Sequence, residues 1–478
     1  MFFEMDSVSV LRILVLVIGL YMAWNIGAND VSNAMGTSVG SGALSLRKAV
    51  FLAAILEFCG AFFVGERVSE TVQHGLLNPS TFALSPMLLI LGMCGALLGT
   101  SLWLQIASYF GLPVSTTHAI IGAIVGFGLL IGGVDAIQWN EVTSIAISWV
   151  TSPVLSAVIS YTIFTIIQKK ILYAMNPIEA TKKILPLFFF VVFSTFTLCL
   201  IFNGIETFTA KISFAQTMGI AGIIGLLAAI ISFFIVRKLA PATNEAQYLL
   251  RHPPQSVISL GKAIKHLQRV RVSSVDETHA KVTEILKEAK LLSEKLHENT
   301  NSSERTSEYN FVEKMFVSLQ ILSACYVAFS HGTNDVSNAI GPVAAVLDII
   351  NTGSLSASSH VPSWLLALGG FGIVVGLATW GWRVIETIGK KITALTPTRG
   401  FCAEFGAATT ILIASKLGLP VSTTHCLVGS VLGIGLAKGL SAINLSTIRY
   451  ILLSWVITIP ASAGISILCF YGLKAIFM

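Results

Sequence analysis

Apolar runs of about 20 residues recur along most of the chain, the length a helix needs to cross the roughly 30 Å hydrocarbon core of a bilayer. Lipid offers no hydrogen-bond partner to a backbone amide, so such runs must fold as helices that satisfy their own main chain. About twelve segments of this kind stand near 8–28, 47–66, 83–104, 113–133, 141–168, 184–203, 214–236, 311–335, 363–381, 402–417, 420–438 and 448–473. The fold class expected is an all-α polytopic membrane protein with about 12 transmembrane or re-entrant helices. Pro113 and Pro420 sit at segment edges and 402–417 is short, which makes the fourth, tenth and eleventh segments candidates for broken or re-entrant helices. With only 11% charged residues, the chain is neither a nucleic-acid binder nor a disordered regulator. Its seven cysteines (Cys59, Cys94, Cys199, Cys325, Cys402, Cys426 and Cys469) lie in apolar segments with no CxxC pair, and read as small core residues. The N-terminus, MFFEMDSVSV, lacks the basic region of a removable signal, so the first apolar run is expected to remain.

Lys and Arg in short loops set the orientation. Numbered from an outside N-terminus, the cytoplasmic loops hold Arg47 and Lys48, then Lys169, Lys170, Lys182 and Lys183, then Arg237 and Lys238. Further on they hold Arg383, Lys390, Lys391 and Arg399, then Lys438 and Arg449, whereas the other side has mainly Arg67, Lys211 and Lys416 with acids at Asp135, Glu141 and Asp348. Both termini are expected on the extracytoplasmic side of a plasma (inner) membrane. Residues 240–310 form the only long polar stretch, and Ile258, Ile264, Leu267, Val282, Ile285, Leu286, Leu292 and Leu296 give it helical spacing. It reads as a cytoplasmic helical hairpin that spaces two halves, with a regulatory or docking role as the alternative.

The chain says nearly the same thing twice. Gly27–Gly36 reads GANDVSNAMG and Gly332–Gly341 reads GTNDVSNAIG, while Gly111–His118 and Gly418–His425 are both GLPVSTTH. GERVSET at Gly65 pairs with GWRVIET at Gly381, and SWVTSP at Ser148 with SWVITIP at Ser454, in the same order. The expected division is an N-terminal membrane repeat over 1–175, linking helices over 176–239, the polar loop over 240–310 and a C-terminal membrane repeat over 311–478. The copies of the first motif fall in spans one and eight, an odd shift, so the repeats are expected to have inverted topology with a site between them near the midplane.

Asn29, Asp30, Ser32, Asn33, Asn334, Asp335, Ser337 and Asn338 are polar groups beside glycine, read as lying where apolar helices end and the backbone leaves the helix at membrane depth. Intramembrane carboxylates mark ion paths. Pro-Val-Ser-Thr-Thr-His reads as a helix start, whose free amides and dipole form a ready-made anion site, with hydroxyls from Ser115, Thr116, Thr117, Ser422, Thr423 and Thr424. Plain capping without a ligand is the alternative. Asp30, Asp335, Glu57 and Glu404 face no Lys or Arg in the apolar segments, so an anion must enter with cations or protons. Oxygen donors suit sodium, at Asp30 and Asp335 with Asn33 and Asn338; Glu57 and Glu404 are candidates for proton uptake. A carboxylate acceptor favours phosphate, which has protons to donate, over sulfate, which has none.

These duplicated motifs closely resemble the paired signatures of the inorganic phosphate transporter (PiT) family over 1–175 and 311–478, the polar loop excepted. The resemblance implies a sodium- or proton-coupled phosphate symporter in an inverted-repeat fold that is often a homodimer, with phosphate between the halves and cations nearby. Asn29 and Asn334 join the phosphate-binding set, and Glu57 in ILEFCGAFFVG and Glu404 in GFCAEFGAATT resemble the family's functionally important glutamates. Ser32, Ser337 and Thr333 depart from its usual residues, which bears on the choice of cation. No cofactor beyond co-transported Na+ or H+ is expected. An enzyme is disfavoured: Gly36–Gly40 matches GxSxG, but no strand precedes it. His118 and His425 beside threonine are read as helix-start groups rather than catalytic bases. A sulfate or other oxyanion symporter on the same fold is the closer alternative. Glycine pairs at 95/99, 122/126 and 429/433 are expected to let helices pack closely within one chain.

Overall fold

A computed structural model describes residues 7–83, 85–110, 114–174, 176–203, 213–239, 254–274, 276–303, 307–353, 360–381, 385, 396–439 and 445–478. Gly111 to Pro113 of the first GLPVSTTH, most of GWRVIET, the opening of the polar loop with Pro241 and Pro253, and Lys211, Arg383, Lys390 and Lys391 lie outside these residues. Among the described residues the regular structure is helical throughout, in 15 α-helices with a few short 3-10 and π turns. In chain order these are α1 (Ser7–Gly40), α2 (Leu46–Val64), α3 (Glu66–His74), α4 (Pro86–Tyr109), α5 (Thr116–Gly132), α6 (Trp139–Ile167), α7 (Pro177–Asn203) and α8 (Phe214–Lys238). They continue as α9 (Pro254–Ser273), α10 (Asp276–Ser303), α11 (Ser307–Thr352), α12 (Ser363–Gly376), α13 (Pro397–Lys416), α14 (Thr423–Lys438) and α15 (Leu445–Phe477).

Eight of these, α1, α4, α6, α7, α8, α11, α12 and α15, are long and apolar enough to cross a membrane, and α2 with α3, bent by 63°, would make a ninth if counted as one span. The shorter α5 is also apolar. The sequence places the boundaries as expected for such helices. Pro86 and Pro397 occupy first turns, where a missing N–H costs nothing, and α5 ends on Gly133 at a positive φ of 76°. Pro153 and Pro460 lie inside α6 and α15, and Ser156 donates to the Pro153 carbonyl at 3.0 Å and to the Cys426 carbonyl at 2.8 Å.

The chain divides into two compact units, one comprising Met1–Phe164, Val191–Gly225 and Ser318–Met478, the other Thr165–Phe190 and Leu226–Val317. In the second, α9 packs on α10 as an antiparallel-type hairpin with Val282 and Leu286 buried, and Tyr309 Oη donates to the Leu172 carbonyl at 2.8 Å. The first unit carries both copies of every motif. Its helices meet through glycines that let backbones touch: Gly27 abuts the Ile373 carbonyl, and Gly332, the same position of the second copy, abuts the Glu57 carbonyl. Gly376 meets Trp24 and Gly60 meets Phe329; Gly122 meets Ile459 and Gly429 meets Pro153. Each pair is the other with its halves exchanged. Helices of one half therefore pack on helices of the other, and Gly95, Gly99, Gly122, Gly126, Gly429 and Gly433 all make their close approaches inside this chain.

One expectation is corrected. The two Asn-Asp motifs do not lie where helices end: α1 runs unbroken for 34 residues through Gly27–Gly36, and α11 for 46 residues through Gly332–Gly341. Their glycines provide close helix crossings rather than chain breaks. The asparagine side chains of both motifs reach neighbouring helices while the backbone stays helical.

Candidate functional site

The site forms where α1 and α11 pass the starts of α5 and α14. Ser115 caps α5, its Oγ accepting from the His118 amide at 3.2 Å, and Ser422 caps α14 through the His425 amide at the same distance. Capping is thus what both serines do; each hydroxyl still has a proton to donate. The first amides of each helix lack intrahelical acceptors and point out along the axis. The two starts are tied across the halves: Thr117 donates to the Val421 carbonyl at 3.0 Å, and Thr424 to the Val114 carbonyl at 3.5 Å.

Asparagines bind each helix start to the opposite motif. Asn33 on α1 donates to Thr424 at 2.8 Å, and Asn338 on α11 donates to Thr117 at 3.2 Å and to Thr116 at 3.3 Å. Asn29 accepts from Ser108 at 3.1 Å and donates to the Val114 carbonyl, while Asn334 donates to Ser415 at 3.1 Å and accepts from the Val421 amide at 3.2 Å. Ser32 and Ser337 only return to their own helix, donating to the Asn29 and Asn334 carbonyls.

The acids occupy the same interior. Asp30 Oδ1 accepts from Asn29 at 3.0 Å and Asn33 at 3.1 Å; Asp335 Oδ2 accepts from Thr423 at 2.9 Å. His331, one helical turn before Asp335, places Nε2 2.8 Å from Asp335 Oδ2 and Nδ1 3.3 Å from Glu57 Oε1, with all three side chains fully buried. Ligand atoms of Asp30, His331 and Asp335 lie within 4.8 Å of one another, a spacing a cation could bridge. Asp30 Oδ2, Asp335 Oδ1, Glu57 Oε2 and Asn338 Oδ1 are buried oxygens with no hydrogen-bond donor among the described residues. Four buried oxygen acceptors in one cluster form a set able to receive a cation or a proton donor.

Glu404 lies apart. Its Oε1 accepts from Thr37 at 2.5 Å, Ser38 at 2.7 Å and Gln320 at 3.4 Å, and its Oε2 from Ser323 at 2.5 Å. Ser41 holds the Gln320 amide by donating to its oxygen at 2.7 Å. Thr37 is seven residues beyond Asp30 on α1, about 10 Å along the axis. The serine of the GxSxG string, Ser38, is thus a carboxylate ligand on an unbroken helix.

Sequence reasoning gathered Asn29, Asp30, Asn33, Glu57, Ser115, Thr116, Thr117, Asn334, Asp335, Asn338, Ser422, Thr423 and Thr424, which the structure brings into one cluster. It missed His331, together with Gln320 and Ser323. The signal for His331 was present: it immediately precedes Gly332 and stands four residues before Asp335, on one helix face. It also breaks the repeat. The equivalent of His331 is Ile26, and the equivalent of Glu57, counted back from Gly65 and Gly381, is Ile373, so the acid-imidazole pair has an apolar counterpart in the other half.

A polytopic helical membrane protein with a buried site of carboxylates, amides and helix starts, contributed twice over by a duplicated chain, is a class defined by these features alone. Residues 26–466 match the phosphate transporter family. A relative from Chlamydia pneumoniae is 43% identical over 469 residues, covering 98% of this chain and 99% of its own. The inorganic phosphate transporter 2-1, chloroplastic, of Arabidopsis thaliana is 43% identical over 456 residues, 95% of this chain and 70% of that one. A solved structure, described as the sodium-dependent phosphate transporter, superposes with a TM-score of 0.77 at 34% identity, covering 98% of this chain and 100% of that chain. The chain belongs to the phosphate transporter family.

Proposed function

We propose that this protein is a secondary active symporter that imports inorganic phosphate together with sodium by alternating access. The observation that carries the proposal is the charge inventory of the cluster. Three buried carboxylates, Asp30, Glu57 and Asp335, share one imidazole, His331, and among the described residues no lysine or arginine is buried. If all three carboxylates are ionised, even a cationic imidazole leaves two of them uncompensated. An anion approaching them at low dielectric is repelled unless positive ions or protons accompany it. Membership of the family and likeness to a structure described as sodium-dependent support sodium as the companion.

In this reading phosphate sits between the starts of α5 and α14, held by their free amides and by Ser115, Thr116, Thr117, Ser422, Thr423 and Thr424, with Asn29 and Asn334 fixing those segments. Sodium lies against Asp30 and Asp335, whose orphaned oxygens with Asn338 Oδ1 offer hard ligands, and Asn33 orients the first carboxylate. Glu57, through His331, adds charge to one side only. Glu404 on α13, with hydroxyls from α1 and α11, makes a further cation-sensitive station. The exchanged helix contacts support two inverted halves that rock about this site. The orphaned acceptors also favour phosphate over sulfate, since only phosphate brings a proton to donate.

The test is uptake of labelled phosphate into proteoliposomes under an imposed sodium gradient, with choline replacement, two external pH values and excess sulfate as competitor. Accumulation that needs sodium and resists sulfate supports the proposal. Cation flux without phosphate movement, or competition by sulfate at equal concentration, overturns it.

A further inference from the structure

The repeated motif SWVTSP at Ser148 and SWVITIP at Ser454 supplies nothing to the site as described, yet its tryptophans reach another repeated motif. Trp149 on α6 and Trp455 on α15 are equivalent positions of the two copies, and so are His118 on α5 and His425 on α14, which end the two GLPVSTTH strings. Their four rings form one row. The His118 ring lies 3.9 Å from the Trp149 ring, centroid to centroid, and meets His425 at 4.3 Å with the planes at 81°, edge to face. His425 in turn stacks on Trp455 at 3.4 Å with the planes 26° apart. Four helices, two from each half, thus converge on a single contact between two imidazoles.

The helix crossings beside it build the row. One turn past each histidine stands a glycine, Gly122 after His118 and Gly429 after His425, and one turn past each tryptophan stands the residue that a glycine meets, Ile459 after Trp455 and Pro153 after Trp149. Each histidine therefore comes from a helix that crosses a helix of the other half, while its ring packs on the tryptophan of its own half. Both histidines are buried, and both nitrogens of His118 and Nε2 of His425 have no hydrogen-bond partner among the described residues; Nδ1 of His425 is 3.4 Å from the Trp149 carbonyl. With so few polar partners, ring packing is what positions these imidazoles, in the edge-to-face and stacked geometries that aromatic pairs favour.

The consequence falls on the starts of α5 and α14. The His118 amide is the donor that Ser115 accepts and the His425 amide the one that Ser422 accepts, each at 3.2 Å, so each ring is attached to the capped first turn of its helix. We infer that His118 and His425 are positioning residues for the anion: their contact, backed by Trp149 and Trp455, fixes the separation of the two helix starts, so that amides and hydroxyls from both reach one anion together. The inference rests on the reading that phosphate sits between those starts. Neither imidazole needs to touch the anion or take up a proton in this role.

Equilibrium binding to the purified full-length protein tests this, with labelled phosphate at fixed sodium and labelled sodium in the absence of phosphate. His118→Ala and His425→Ala should each weaken phosphate binding by roughly threefold to tenfold, the range of one aromatic contact, and the double variant by little more than either alone, since both remove the same contact. Sodium binding without phosphate should stay within about twofold of the parent. His118→Phe and His425→Phe keep a ring in the row and should recover most of the phosphate affinity. Losses that multiply in the double variant, phenylalanine variants as weak as the alanine ones, or parental phosphate affinity throughout overturn the inference. If the alanine variants lose sodium binding as well, Trp149→Leu and Trp455→Leu, at half-buried positions, remove one end of the row each and should still cost phosphate affinity alone; parental phosphate affinity in both overturns the inference. The Ser115→Ala, Ser422→Ala double variant in the same assay keeps the two claims apart. A phosphate loss there with none in the histidine variants overturns the inference and leaves the site standing, whereas no loss there removes the anion from the helix starts and the inference with it.

Discussion

Asp335→Asn separates charge from shape at the centre of the site. Asparagine fills the same volume and can still accept from Thr423, which donates to Asp335 Oδ2 at 2.9 Å, so the contact between α11 and α14 is kept. What disappears is one negative charge. Ligand atoms of Asp30 and Asp335 lie within 4.8 Å of each other. Two unit charges at that separation repel by about 3.5 kcal/mol at an effective dielectric of 20. A sodium ion placed between them gains by relieving that repulsion. Removing one charge withdraws a driving force of this order, which corresponds to roughly 300-fold in cation affinity. The assay is the initial rate of labelled phosphate uptake into proteoliposomes across a range of external sodium, with choline holding ionic strength constant. The half-saturating sodium concentration should rise by roughly 100-fold or more, and coupled accumulation should be lost, while the protein inserts at normal yield. A sodium curve that superimposes on that of the parent, at normal maximal rate, would falsify the assignment of Asp335 to the cation.

Other perturbations separate the remaining parts. Ser115→Ala and Ser422→Ala remove caps worth about 1 kcal/mol each and should weaken phosphate affinity more than sodium affinity; the reverse order in a binding titration means the two ligands have been exchanged. Thr423→Val deletes a hydrogen bond to a buried carboxylate, a loss of about 1.5–3 kcal/mol, and Thr423→Ser should restore most of it; equal uptake by both variants removes Thr423 from the site. Glu404→Gln leaves a single oxygen for four donors from Thr37, Ser38, Gln320 and Ser323, and should lower stability by about 1–3 kcal/mol in a thermal melt, an effect absent if those contacts are incidental. Gly332→Val drives a side chain into the Glu57 carbonyl, an overlap no rotamer relieves, with a cost of about 1–3 kcal/mol or more; a parental melting temperature would refute the crossing of α2 and α11.

The membrane fold was readable because apolar runs of sufficient length have few alternatives in lipid, and the central cluster because Asn, Asp, Ser and Thr stand out in such surroundings when a motif occurs twice. What escaped depends on which helix lies beside which. Glu57 and His331 are 274 positions apart and become neighbours only because Gly332 lets α11 settle against α2, so neither residue announces the other. Glu404, similar to Glu57 in its apolar context, falls in a separate cage formed by side chains of α1 and α11, a neighbourhood its own segment does not announce. The course of the backbone through the two Asn-Asp motifs was misread because glycine beside polar residues signals a break as readily as a close crossing. The hydrogen bonds that Asn33 and Asn338 make to α14 and α5 depend on which helices lie beside the motifs, and the sequence of α1 or α11 alone does not contain that.

Equilibrium binding of radiolabelled phosphate to the purified protein, titrated at fixed pH with sodium or choline, probes the central relation without any transport step. Linkage requires that if sodium promotes phosphate binding, phosphate promotes sodium binding by the same factor. Affinity for phosphate should be negligible in choline and climb steeply with sodium, and should revert to the choline level for sodium in the Asp30→Asn, Asp335→Asn double variant. Tight phosphate binding in choline at both pH 6 and pH 8, unmoved by sodium, would contradict the idea that these carboxylates admit an anion only in the company of cations.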